Sequence, residues 1–106
     1  MSQVVFYRYV DDVEEAVIRA MGMIAPAPSS LSKWYTPDRY DTGLEAQQYL
    51  ALRNTPTYRI GPIPSDEIPD PDHVQLRVVA PAFGQPGGGL EVATTKTHYL
   101  FEIRRL

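Results

Sequence analysis

Residues 3–21 read QVVFYRYVDDVEEAVIRAM, and the hydrophobic period changes within them. Gln3–Val10 is rich in Val, Phe and Tyr and is bounded by Asp11-Asp12, which predicts a strand. Asp11 or Asp12 can cap a following helix, with Glu14 and Glu15 in its first turn against the positive helix end. Val13, Ala16, Val17 and Ala20 fall at i, i+3, i+4 and i+7, so they are expected to form one apolar face toward the core. Gly22 ends the helix.

Downstream, a loop over Ala25–Ser30 leads to a compact group, Leu31–Thr36, that holds the only tryptophan. Thr42-Gly43-Leu44-Glu45 matches a capping box, so a helix is expected from about Leu44 to Arg53, closed off by Pro56. Thr57–Ile63 reads as a second strand, with Tyr58 and Ile60 on one face and Arg59 on the other. Pro62, Pro64, Pro69 and Pro71 break up the next stretch into a surface loop. Val74–Val79 alternates as a further strand. Gly84–Gly89 is a loop, and Leu90–Thr95 and Thr97–Arg104 are the last strands, with a turn at Thr95-Lys96. The order predicts an α+β fold with helices toward the N-terminal half. Its sheet is split, has a cleft between its halves and is mainly antiparallel, because the later connections are too short for crossover helices.

The chain has 106 residues, which suits one small domain over 1–106. Thirteen acidic residues against ten basic ones give a net charge of −3, against general nucleic-acid binding, which needs a basic surface. Without cysteine there is no thiol nucleophile and no thiolate zinc site. No apolar run approaches the roughly 20 residues that cross a bilayer, so no membrane partner is expected. The opening residues lack the basic-then-apolar order of a signal peptide, so the expected place of action is the cytoplasm, reached directly or by delivery.

Several residues invite chemistry. Gly87-Gly88-Gly89 before Leu90-Glu91 fails as a P-loop, since no lysine and hydroxyl follow, and fails as a dinucleotide fingerprint. It reads either as a hairpin loop or as backbone that passes close to a ligand, presenting Glu91 at a strand edge. Arg8 is either an edge arginine facing water or a planar fork for a phosphate or carboxylate. Trp34 and Tyr35, between the hydroxyls of Ser32 and Thr36, are either core residues or a holder for a flat ring. His73 and His98 read as structural. Asp66, Glu67, Asp70 and Asp72 read as a solvated loop, not a calcium loop.

Taken in order, Tyr7-Arg8, Ser32-Lys33-Trp34-Tyr35-Thr36 and Gly84-Gln85-Pro86-Gly87-Gly88-Gly89-Leu90-Glu91 resemble the compact ADP-ribosyltransferase-like domains of bacterial polymorphic and contact-dependent toxins. Within that group the chain is most similar to small domains with a GQPGGGxE-type ending, of which the toxins that modify elongation factor Tu are one branch. The resemblance spans about Phe6 to Val92. It implies an NAD-consuming transferase delivered into a target cell during interbacterial competition, with a target macromolecule there and a cognate immunity protein as partners. It also implies roles. Tyr7 and Arg8 would contact NAD, Arg8 at a phosphate or ribose. Ser32, Trp34, Tyr35 and Thr36 would shape the nicotinamide pocket, and Glu91 would be the catalytic glutamate. Two departures stand out. Ser-Lys-Trp-Tyr-Thr replaces a Ser-Thr-Ser triplet, and Gly89 stands where Glu or Gln often supports transfer to a side chain. Gln85 is the residue that could stand in from the loop. The second departure leaves NAD hydrolysis open as an alternative to transfer. A non-catalytic immunity or adaptor module on the same scaffold is the other alternative.

Overall fold

A computed structural model describes residues 5–24, 33–64, 76–94 and 102–106. In chain order the elements are β1 (Val5–Val10), α1 (Asp12–Met21), β2 (Lys33–Tyr35), α2 (Gly43–Leu50), β3 (Tyr58–Pro64), β4 (Arg77–Val78), β5 (Leu90–Thr94) and β6 (Ile103–Arg105). The fold is α+β, with two antiparallel three-stranded sheets ordered β1-β3-β6 and β2-β5-β4. The predicted turn at Thr95-Lys96, the start of the strand at Val74 and the loop of prolines 69 and 71 lie outside the described residues. Among the described residues no helix is long and apolar enough to cross a membrane.

The two sheets meet at one bridge. In an antiparallel ladder, backbone groups of successive residues point to opposite edges. The β1–β3 register slips between Phe6 and Arg8, and the N–H and C=O of Tyr7 between them face Thr36. Tyr7 N donates to Thr36 O at 2.7 Å, and Thr36 N donates to Tyr7 O at 2.9 Å.

The near-continuous apolar run in β1 follows from burial on both its faces. Phe6 and Val10 join Ile18, Ile24, Tyr35, Ile60, Ile63 and Val92 in one core. Tyr9 joins Tyr40 and Ala46 in another, against which Tyr7, Leu50, Leu52 and Leu106 pack. Arg59 lies on this second side, buried, with its guanidinium over the Tyr7 ring at 5.6 Å to the centroid.

Both helices start where local capping places them. Asp11 accepts from Glu14 N at 2.9 Å, and Thr42 accepts from Glu45 N at 3.2 Å. Helix α2 stops at Leu50, short of the expected Arg53, because Ala51 turns into the left-handed region with φ 50°. The inward face of α1 corrects the expectation. Val13 is 74% exposed and Val17 51% exposed, while Ile18 and Glu15 are buried. The inward stripe is Asp11, Glu14, Glu15 and Ile18, the same spacing started two residues earlier and so nearly on the opposite side of the helix. Arg8 holds Glu14 on that side, and Thr57 donates to Asp12 at the helix start.

Ile18→Ala should therefore cost about 2–4 kcal/mol in denaturant unfolding, and Val17→Ser should stay within about 0.5 kcal/mol of the parent. Equal losses would mean that α1 docks through its other face.

Candidate functional site

Where the sheets meet, a cavity of about 340 Å³, including its open mouth, is lined from four segments. Tyr7, Arg8 and Tyr9 come from β1, Trp34, Tyr35 and Thr36 from β2 and its end, and Glu91 from β5. Leu50 and Leu52 close it from the end of α2. Six residues singled out in the sequence thus share one wall: Tyr7, Arg8, Trp34, Tyr35, Thr36 and Glu91. Gln85 does not join them. It closes a tight turn in which its backbone and that of Ala82 exchange hydrogen bonds of 3.2 and 2.8 Å. Ser32 lies outside the described residues, as do His73, His98 and the acidic loop around Asp70.

Strand alternation sets the direction of Glu91. Val92 is buried opposite Tyr35 in the core, so its neighbour Glu91 projects to the other face. Arg77 sits directly across from it on β4. Arg77 Nε donates to Glu91 Oε1 at 2.8 Å, and the Arg77 guanidinium also lies 4.3 Å from the Trp34 ring centroid. The carboxylate side chain is 15% exposed and its arginine partner 63% exposed. Trp34, itself partly exposed, is therefore not a core residue. It forms a platform with Arg77 at the rim of the cavity.

Arg8 points inward, with its side chain 13% exposed. Its fork is already filled. Nε and Nη2 donate to the two Glu14 carboxylate oxygens at 2.8 and 2.7 Å, and Nη1 donates to Trp34 O at 2.9 Å. In this arrangement Arg8 ties β1 to α1 and β2. A phosphate on the same fork would have to displace Glu14, so the role implied by the resemblance requires a rearrangement that the bidentate pair opposes.

The glycine run approaches protein, not an empty ligand path. The last carbonyls of a helix lack partners within it. In α2, Gln47 O accepts from Leu52 N, Gln48 O from Gly87 N, and Tyr49 O from Gly89 N, each at 3.0 Å. A side chain at Gly87 would collide with backbone: its Cβ would lie 2.5 Å from Val79 O. At Gly89 a Cβ would lie 2.5 Å from the Tyr40 hydroxyl and 3.0 Å from Tyr49 O. Gly89 is thus small because it lies against Tyr40 and the end of α2, and Gly87 because it lies against the backbone of residues 79–80.

Asp38 completes the mounting. Its Oδ2 accepts from Leu90 N at 3.0 Å and from the Tyr40 hydroxyl at 3.1 Å, and its own amide donates to Thr36 Oγ1 at 3.0 Å. Tyr40 stacks on Tyr49, and Tyr40 N donates to the Tyr9 hydroxyl at 2.6 Å. Burial pushes the Tyr40 phenol up, and the Asp38 charge beside it pushes further in the same direction. Burial likewise raises the Tyr9 phenol. The Tyr35 phenol in the cavity wall is pushed up to about 12, again chiefly by burial, so it keeps its proton at neutral pH.

The site therefore offers one carboxylate, aromatic faces and neutral phenols in a half-enclosed apolar cleft, which suits a flat ring carrying a polar or developing positive edge. Among the described residues no group of three or more His, Asp or Glu is placed to hold a metal ion. Arg77, Asp38, Tyr40, Leu50 and Leu52 were not singled out in the sequence. Only Arg77 carried a signal there, as a charged residue alternating with apolar ones on a strand. Its partner was set by a register that spacing alone does not fix. No family model matches the chain, and no curated protein or solved structure matches it.

Proposed function

We propose that the protein is an NAD-consuming enzyme, an ADP-ribosyltransferase-like toxin domain that cleaves the nicotinamide–ribose bond. The observation that carries this reading is convergence. Residues far apart in sequence, at β1, β2 and β5, supply one cavity with aromatic walls and a single carboxylate. Cleavage breaks the C–N glycosidic bond, nicotinamide leaves with the bonding pair, and positive charge builds on the ribose. A fixed carboxylate stabilises that charge where it develops. Glu91 is held for this task on a strand whose first residue is bonded to Asp38. Trp34, Tyr35 and Tyr7 give the nicotinamide ring faces to pack on. The ribose carbon then accepts a nucleophile from a target macromolecule, which is transfer, or water, which is hydrolysis.

One observation favours a second reading, a non-catalytic binding module. Both charges of interest are already paired, Arg8 with Glu14 and Glu91 with Arg77. Incubation with NAD tagged on its adenosine decides among these. The enzyme should release nicotinamide. Label on a protein band then identifies transfer, and free ADP-ribose alone identifies hydrolysis. If neither nicotinamide release nor NAD binding is seen, the module reading stands and the enzyme reading falls.

A further inference from the structure

A second cavity lies on the other sheet, about 450 Å³ and open to solvent, with Arg39, Arg59 and Arg104 around it and Glu102 as its acid. We propose that it is a binding site for a phosphate-type oxyanion, distinct from the Glu91 cavity, with which it shares Tyr7 as a lining residue, and independent of the function proposed above. Three guanidiniums around one hollow are unusual in a chain of net charge −3. Their carboxylate contacts are loose. Asp41 lies 3.6 Å from Arg39 and 3.8 Å from Arg59, and Glu102 lies 3.8 Å from Arg104. These distances exceed a charge-assisted hydrogen bond, and both acids are mostly exposed, so an incoming anion displaces them at little cost.

Arg59 is the fixed member. Its side chain is 8% exposed. The Tyr7 ring lies beneath it, and its Nη1 donates to Tyr40 O at 3.2 Å. Its polar atoms are hydrogen-bonded, but among the described residues its nearest carboxylate, Asp41, stands 3.8 Å away, so the buried charge has no close counter-ion. A tetrahedral oxyanion in the cavity would supply one. Arg39 and Arg104, both more than half exposed, can close on the same anion from either side.

The test uses inorganic pyrophosphate and adenosine monophosphate as probes in calorimetric titration of the whole chain. Pyrophosphate should bind the parent protein, and the affinity should fall as salt rises. The double variant Arg39→Glu/Arg104→Glu should weaken it at least roughly tenfold, with nicotinamide release unchanged. Should charge reversal impair folding, Arg39→Gln/Arg104→Gln serves the same purpose and should weaken binding in the same direction. Tighter binding of adenosine monophosphate than of pyrophosphate identifies a nucleotide as the source of the phosphate, and the reverse identifies a free oxyanion. No binding of either probe, or binding that ignores both double variants, overturns the site and leaves the reading of the Glu91 cavity untouched.

Discussion

Glu91→Gln should lower nicotinamide release from NAD by roughly 10²–10³-fold while the protein stays folded. Glutamine keeps the size and the hydrogen-bonding reach of the side chain but carries no charge to stabilise an oxocarbenium-like ribose. The cost to stability is small. The partner, Arg77, is 63% exposed, and pairs of that kind contribute about 0–1 kcal/mol. The informative companion is Arg77→Gln, which breaks the same ion pair and leaves the carboxylate in place. It should retain most of the turnover. Equal loss in the two variants would reduce Glu91 to half of a structural pair. Full NAD consumption by Glu91→Gln would remove the enzyme reading at its centre.

Gly87→Ala should cost about 2–4 kcal/mol of unfolding free energy. Gly87 has φ 70°, and its added Cβ would meet Val79 O at 2.5 Å and Ala80 O at 3.0 Å. Those atoms are backbone and cannot swing aside. Relief would require the loop to move off residues 79–80, which would strain the bonds from Gly88 N to Val79 O and from Gly87 N to Gln48 O. Gly84 offers a control. Its φ is 74°, but a Cβ added there would meet nothing within 4 Å. Gly84→Ala should cost only about 1 kcal/mol, from the backbone conformation alone. The difference between the two midpoints in urea measures the contact. If the two variants melt alike, the loop does not press on residues 79–80.

Local signals were legible in the sequence, and docking was not. The start of α2 could be read because Thr42 and Glu45 satisfy each other within one turn. The start of α1 could be read from Asp11 for the same reason. The phase of α1 could not. Val13 and Val17 have the better apolar chemistry, yet the helix turns on Glu14 and Ile18, because Arg8 on β1 reaches Glu14. Glu14 looked like a charge placed for the helix end, and its longer-range partner lay on another element. Period fixes which residues share a face; only the neighbouring strand fixes which face goes in.

The site shows the same division. Arg8, Trp34, Tyr35 and Glu91 were readable as unusual residues, and all four line the cavity. The Gly87–Gly89 run was readable as a place of close approach, but sequence could not tell a ligand from the end of α2. Asp38 gave no signal, since its value lies in an amide more than fifty residues away, that of Leu90.

Strand β3 lies between β1 and β6, and β2 pairs with β5 rather than with either strand next to it in the chain. Most of the sheet contacts therefore close long loops, and loop closure must be met before pairing stabilises anything. Such a topology folds slowly compared with helical bundles of similar size. It also orders the events on a ribosome. The first sheet has no second edge for β3 until residues 103–105 have emerged, and the Glu91 cavity lacks a wall until β5 has found β2. A nascent chain stalled before these points would leave the outer edge of β3 unpaired and Tyr35 of β2 without Val92 across from it, and so it is the growing polypeptide, more than the finished one, that is exposed to aggregation.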